Sequence, residues 1–409
     1  MKTIFKSFKF RIYPNKKQEI LLAKHFGATR FVFNHYLNSR KESYFGEDKK
    51  TLNYYDNAND LTQFKKDENF NWLKEINSQS LQSSLRNLDT AYNKFFRKQT
   101  KFPRFKSKYN KQSFKIPQSV SIKNNKLIIP KFKGGIKIKL HREINGKICF
   151  ATISKSLSDK YHVSITCEVQ YKSFDKTGSK VGIDTGIKDL AILSNGKIYK
   201  NIRTLKNNLK ILNYKQRQLS KKVKGSNSRN NQKIKLATIH EKITNIRKDY
   251  LHKVSTEIVK NHDIISVEDL AVKNMMKNHK LAQALSDVSL GTFYSMLEYK
   301  CAWNDKLYVK IDRFFPSSKM CSNCEWINQD LTLKDREWIC SSCNTKHNRD
   351  FNASKNILKQ GLKIVAESDN LKETLSGSGT EPDVKQKQVE ALSLDESTKL
   401  ETHKSLACV

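Results

Sequence analysis

The sequence predicts a multidomain chain of mixed α+β and α/β class: a β-barrel with helices inserted into it, then an α/β domain carrying a small metal module. Three observations predict it. Period-two alternation of apolar and basic residues at 5–13 returns between 102 and 170, after an interval of helical periodicity. Beyond 177, short apolar strands ending in Asp184 and Glu268 alternate with long helical stretches. Two Cys-x2-Cys pairs, Cys321 with Cys324 and Cys340 with Cys343, stand fifteen residues apart.

In order along the chain, the strand at 5–13 ends at Pro14-Asn15, and apolar positions from Lys16 to about Tyr44 have helical spacing, with Gly27 read as a break between two helices. A second helical block spans about Ser78 to Lys98. From Phe102 to Gln170 the period is two, with a hairpin across Ser158-Asp159, and the N-terminal strand is expected to join these strands across the inserted helices. Lysines at every second position there suggest one cationic face, in contact with a polyanion or simply solvated. A buried strand at Val181-Gly182-Ile183 delivers Asp184, and a turn at Asn195-Gly196 joins two further strands. Basic helices follow at roughly 203–222 and 229–260, separated by a turn. A strand from Asp263 runs into Glu268, and another from Leu307 to Phe314 leads into the cysteines. Residues 361–409 hold six bases and nine acids, a net of −3, and read as a mostly disordered tail.

With 77 Lys and Arg against 40 Asp and Glu, the chain carries +37, and a compact fold of that charge repels itself unless a polyanion neutralises it. Nucleic acid is the partner this balance favours. No amphipathic anchor gathers the charge and no stretch has the length of a membrane span, so no membrane partner is expected and the location is read as cytoplasmic. Cys149, Cys167, Cys301 and Cys408 are scattered, as in a reducing compartment, and read as inert thiols.

The four paired cysteines suit one tetrahedral zinc ion held by four thiolates, a closed site that shapes a fold and leaves no position for a reacting water. The acids suit different chemistry. Asp184 and Glu268 end two strands and Asp350 opens a helix, so neighbouring strand ends could gather all three around two divalent ions about 4 Å apart, an arrangement that hydrolyses phosphodiesters. Taken singly, Asp184 also fits a turn, Glu268 a helix start and Asp350 an N-cap. Their order, with strands, a hairpin and helices between, is that of an RNase H-like nuclease. Converged carboxylates would repel without metal, so Asp350→Asn is expected to stabilise the metal-free protein.

Over about residues 1–360 the chain resembles the TnpB family, transposon-encoded RNA-guided DNA endonucleases related to type V CRISPR effectors. The resemblance rests on Arg11-Ile-Tyr-Pro-Asn, Arg30-Phe-Val-Phe-Asn-His, Leu81-Gln-Ser-Ser-Leu to Phe96 and Phe102-Pro-Arg-Phe-Lys. It continues in Gly182-Ile-Asp-Thr-Gly-Ile-Lys-Asp, Val267-Glu-Asp-Leu, Phe315-Pro-Ser-Ser-Lys-Met-Cys and Asn348-Arg-Asp-Phe-Asn-Ala. It implies a wedge β-barrel from 1–28 and 102–176 and a helical recognition lobe from 29–101. It also implies a RuvC-like (RNase H-like) nuclease domain from 177–360 with a zinc ribbon at about 316–347. Asp184, Glu268 and Asp350 match the family's catalytic, Mg2+-binding positions, and Cys321, Cys324, Cys340 and Cys343 its zinc positions.

The implied partners are a guide RNA from the transposon end and double-stranded target DNA, cut beside a short motif; a monomer is favoured. Arg203, Lys206, Lys210, Lys215, Arg217, Lys221, Lys222 and Lys224 are candidate phosphate contacts or a solvated helix face. Tyr54 and Gln82 align with the region the family uses for the target-adjacent motif, and Gln pairs bidentately with adenine; each also fits a packed or surface role. The alternatives are a nuclease-inactive RNA-guided repressor and a transposase proper of RNase H-like fold.

Overall fold

The computed structural model describes residues 1–46, 49–332 and 334–376. The chain divides into two compact units, one of residues 1–171 with 213–241, the other of 172–212 with the chain from 242 onward.

In the first unit, β1 (Lys2–Tyr13) buries Ile4, Phe8, Phe10 and Ile12 on one face, as its alternation predicts. Pro14 ends it. Asn15 then caps α1 (Lys16–Phe45) in a reciprocal capping box with Gln18. The break expected at Gly27 is absent: α1 is one continuous helix, and nothing lies within 4 Å of a Cβ at that position. A helical glycine costs only about 1 kcal/mol, which the buried residues on either side of it, Leu22 and Phe26 before and Val32, Tyr36 and Leu37 after, readily offset. A helix not foreseen, α2 (Tyr54–Phe64), starts at a second capping box between Asn53 and Asp56. A 3-10 turn (Glu68–Glu75) leads to α3 (Ser78–Phe96), whose Leu81, Leu85 and Leu88 pack with Val32, Phe33, Tyr36 and Leu37.

The strands that follow are β2 (Gln112–Ile116), β3 (Ser121–Lys123), β4 (Lys126–Ile128), β5 (Ile136–Lys139), β6 (Lys147–Lys155) and β7 (Tyr161–Tyr171). With β1 they form one antiparallel sheet in the order β2-β6-β7-β1-β5-β4-β3. The N-terminal strand therefore does join strands more than a hundred residues distant, pairing with β7 along most of its length and with β5 at its end. Among the described residues no ladder joins β2 to β3 to close the sheet.

In the second unit, β8 (Lys180–Asp184), β9 (Asp189–Leu193) and β10 (Ile198–Lys200) precede α4 (Thr204–Ser220) and α5 (Asn227–Asn261), whose connecting end falls in the first unit. β11 (Ile264–Glu268) follows, then α6 (Val272–Met275), α7 (His279–Val288), α8 (Leu290–Trp303) and β12 (Leu307–Ile311). The sheet order is β10-β9-β8-β11-β12, with β8, β11 and β12 parallel. Val181, Ile183, Ile265 and Val267 share a core with Leu251, Val254 and Ile258 of α5 and Phe293 and Leu297 of α8. β13 (Glu337–Ile339) pairs with β14 (Lys346–Asn348), and α9 (Arg349–Ser376) closes the unit.

The tail reading is corrected at its start. α9 continues through Gly361, which is a close-packing residue and not a stop: a Cβ there would sit 2.0 Å from Ser266 Oγ of β11. The rest of that segment, 377–409, lies outside the described residues. Gly182 plays the same part on β8, where a Cβ would lie 2.1 Å from Ser354 O and 2.5 Å from Leu358 N of α9. Backbone cannot yield as a flexible side chain can. Gly182→Ala is therefore expected to lower stability by about 3 kcal/mol, read as a fall in the denaturation midpoint; an unchanged midpoint would refute this close approach.

Candidate active site and metal centre

Strand register brings two of the acids together. Ile183 is the partner of Val267 on adjacent parallel strands, so Asp184 and Glu268 are the next positions along, on strands about 4.8 Å apart. Alternation puts Asp184 on the same face as Gly182, and Glu268 on the same face as Ser266, the two positions that α9 covers. α9 contributes Asp350 from its first turn, where the helix dipole favours a carboxylate. The acids thus lie at the carboxyl edge of the sheet and in the first turn of the final helix.

Burial pushes the Asp184 carboxyl well above the usual carboxylate range, and the charges of Glu268 and Asp350 push it further. Glu268 is also raised by burial, and its Oε1 accepts the hydroxyl of Ser317. Burial likewise raises Tyr294, whose hydroxyl meets that of Thr185 and feels the charges of Glu268 and Asp184. Asp350 is held differently: Arg336 Nη1 donates to Oδ2 at 2.9 Å, and Arg349 Nε and Nη2 each donate to Oδ1 at 3.2 Å. Asp184 is within electrostatic reach of both Glu268 and Asp350. Among the described residues, however, only the four cysteines place every ligand atom within 4.8 Å of the others.

These contacts reverse the stabilisation expected at Asp350, whose charge is offset by two guanidiniums. The relevant substitution is Asp184→Asn. A carboxyl raised in the folded state stabilises the fold below the unfolded value near 3.9, and that contribution is lost as pH rises through the folded value. At neutral pH the metal-free variant is expected to melt about 2–4 °C higher than wild type, with the gain shrinking as pH falls towards 4. A melting point equal to wild type at neutral pH would show that Asp184 carries no such burden.

Cys321 Sγ lies 3.6 Å from Cys343 Sγ, and Cys324 Sγ lies 3.6 Å from Cys340 Sγ. A disulfide requires about 2.05 Å. A tetrahedron with bonds of about 2.3 Å has edges of about 3.8 Å, so the sulfurs fit a zinc ion. The two knuckles repeat one backbone geometry. Glu325 and Asn344, each four residues after the first cysteine of its pair, have φ of 66° and 54° and donate their N–H to the carbonyls of Cys321 and Cys340. His347, on the tilted face of Trp338, places Nε2 3.0 Å from Cys321 Sγ and is a contact the sequence did not suggest.

The cysteine module is tied to the acids through α9. Asn352 Nδ2 donates to Met320 O at 2.6 Å and its Oδ1 accepts Ser322 N at 2.9 Å, while Asn356 Nδ2 donates to Ser317 O at 2.8 Å. Ser317 reaches Glu268 and Arg336 reaches Asp350, so the module positions two of the three carboxylates. Ser317, Arg336, Asn352 and Asn356 lay inside recognisable motifs or beside them, but no spacing rule marks them.

Arg203, Lys206, Lys210, Arg217, Lys221 and Lys224 are exposed, Lys215 and Lys222 half-buried, and none of the eight forms an ion pair among the described residues. Arg203, Lys206 and Lys210 belong to the second unit and the others to the first. The Tyr54 ring packs on the helical core with the Arg86 guanidinium 5.0 Å from its centroid, and Gln82 is half-exposed on α3.

Family models match three stretches: OrfB_IS605, described as "Probable transposase", over 162–279; "Cas12f1-like, TNB domain" over 291–357; and a helix-turn-helix domain over 1–49, where the structure has β1 and α1. The solved Cas12f1 complex with sgRNA and target DNA shares the fold, with a TM-score of 0.53 and 14% identity over 87% of this chain and 98% of that one. The fold class is therefore that of the Cas12f1-like multidomain α+β proteins with a TNB domain. A relative from Streptomyces pristinaespiralis, provisionally named an RNA-guided DNA endonuclease, is 37% identical over 93% of this chain and 95% of its own. InsQ of Escherichia coli K12, provisionally named likewise, is 34% identical over 88% and 93%. The chain belongs to this TnpB-like family of RNA-guided DNA endonucleases.

Proposed function

We propose that the protein is a Mg2+-dependent endonuclease that hydrolyses target-DNA phosphodiester bonds after a bound guide RNA has paired beside a short flanking motif. The observation that carries this reading is the placement of Asp184 and Glu268 on adjacent parallel strand ends beneath the helix bearing Asp350. Hard carboxylate oxygens suit divalent cations, and here Asp184 and Glu268 are desolvated and Asp184 is repelled by the other two acids. Two ions held there would supply an activated water and positive charge for the hydrolysis. The protein's own part is to fix the carboxylates: the sheet sets Asp184 and Glu268, Ser317 orients Glu268, and Arg336 and Arg349 hold Asp350 until it is recruited. One zinc ion in the four cysteines would fold the module that supplies Ser317 and Arg336.

For the RNA, the first unit offers a cationic stripe. Arg11 stands opposite Lys139, Lys137 opposite Lys126, and Lys126 opposite Lys123. Like charges directly opposed destabilise a sheet, and an A-form backbone lying across them would remove that repulsion. We assign 1–28 and 102–176 to the wedge, 29–101 to the recognition lobe, and 177–360 to the nuclease with its ribbon at about 316–347. Expression with the native flanking DNA, followed by sequencing of co-purifying RNA, tests the reading. One defined RNA, programming cleavage of matched DNA only with Mg2+, is expected; random cellular RNA without guided cleavage would refute it.

A further inference from the structure

We propose that the end of α3 and the loop after it form a stacking platform for an unpaired stretch of RNA, with Phe96, Phe105 and Tyr109 presenting rings to its bases. This rests on the RNA-binding reading above. Phe96 is 66% exposed, Phe105 51% and Tyr109 76%, whereas Tyr36 and Phe33 form part of the helical core. Phe96 is backed by Tyr92 and Phe95, at 6.1 and 5.4 Å between ring centroids, and these in turn meet Phe102 at 5.6 and 5.3 Å. The cluster seals the end of α3 with its inner rings and leaves Phe96 exposed, while Lys41 Nζ lies over the Phe105 ring at 5.5 Å and Lys108 Nζ over that of Tyr109 at 5.3 Å. An exposed apolar patch of this kind marks an interaction surface.

The charge around the rings identifies the partner. Residues 97–111 contain seven Lys and Arg and no acid; all seven residues are exposed, with the Lys106 ammonium turned inward over the Phe33 ring at 3.8 Å. A protein groove with mixed charge or a lipid tail would not match such a surface; a polyanion with flat apolar faces would.

The segment has no regular structure from 101 to 107, yet it is fixed. Asn34 of α1 donates to Lys106 O at 2.9 Å and accepts Lys106 N at 2.7 Å. Gln112 Nε2 lies 2.6–3.2 Å from the carbonyls of Ser107, Lys108 and Asn110, and its Oε1 accepts from Arg30 at 2.6 Å. Rings held in place lose little freedom on binding.

Bases inside a duplex already stack on one another, so only unpaired nucleotides can use these faces. A guide RNA is bound before any target is opened, so its single-stranded segments meet the platform first; a displaced DNA strand exists only later.

The test uses the full chain and fluorescence anisotropy with labelled oligoriboadenylate, oligodeoxyadenylate and an RNA hairpin stem, at moderate and high salt. The variant Phe96→Ala/Phe105→Ala/Tyr109→Ala is expected to bind oligoriboadenylate at least about tenfold more weakly, most visibly at high salt, with the hairpin unchanged. A second variant with Trp at the three positions is expected to bind as wild type. Unchanged oligoriboadenylate binding by the alanine variant, or an equal loss on the hairpin, would overturn the platform. So would a loss confined to oligodeoxyadenylate, which would assign the rings to DNA. If the platform alone is wrong, wild-type protein still co-purifies with its RNA; if the RNA-guided reading is wrong, it does not.

Discussion

Asp184→Ala is expected to abolish guided DNA cleavage while leaving RNA and DNA binding within about twofold of wild type. Asp184 is the acid whose charge the fold tolerates least, buried on β8 and raised by its own desolvation and by Glu268 and Asp350. A group so disfavoured lowers stability, and such groups cluster at functional sites. The removal of partners one shell out from a metal already reduces activity by about 10–100-fold, so loss of a central carboxylate should exceed that range. Because the residue is an acid and no phosphate clamp, nucleic-acid affinity should not follow the cleavage rate. Single-turnover cleavage beside gel-shift titration separates the two. Equal loss of binding and cutting would mean that Asp184 supports the fold instead.

The second large effect concerns the four cysteines. Chelation of zinc, or Cys321→Ser with Cys324→Ser, is expected to unfold the module around Leu331 and Trp338, whose small core consists mostly of the sulfurs themselves. Structural zinc contributes about 10–16 kcal/mol of apparent binding energy in isolated fingers, more than so small a core can replace. Asn352 and Asn356 would lose their carbonyl partners, Glu268 its Ser317 hydroxyl and Asp350 its Arg336. Cleavage should therefore fall through these hydrogen bonds and not through the thiolates themselves. Elemental analysis should give about one zinc per chain, and Cys149→Ser, which is not one of the four clustered thiols, should leave zinc and activity unchanged. Full cleavage by a zinc-free protein would sever the coupling described.

Much of this arrangement was legible in the residues. β1 carries the same alternation as the strands beyond 102, so its place in their sheet followed from pattern. Strand-end acids were legible because an apolar run that stops at a carboxylate at an α/β sheet edge is unusual, and register then joined Asp184 to Glu268. Gly27 misled because a glycine looks the same in sequence whether it ends a helix or sits inside one, and the acidic balance of 361–409 hid the helix that runs on past Gly361. At Gly361 the deciding fact is the close approach of β11, a long-range contact. Helices α6 to α8 went unread between Val272 and Trp303. There α8 buries Phe293, Met296, Leu297 and Cys301 and shows little amphipathic contrast to betray its period. Ser317, Tyr294 and Arg336 were invisible because ordinary polar residues acquire their roles only from what the fold places beside them.

The most direct measurement is a titration of the metal-free protein, with guide RNA and matched DNA bound, with Mn2+ followed by electron paramagnetic resonance. The wild type is predicted to take up two ions close enough to couple magnetically, and Asp184→Ala and Glu268→Ala to lose that coupled pair. Identical Mn2+ binding by wild type and both variants would contradict the claim that these carboxylates form one metal site.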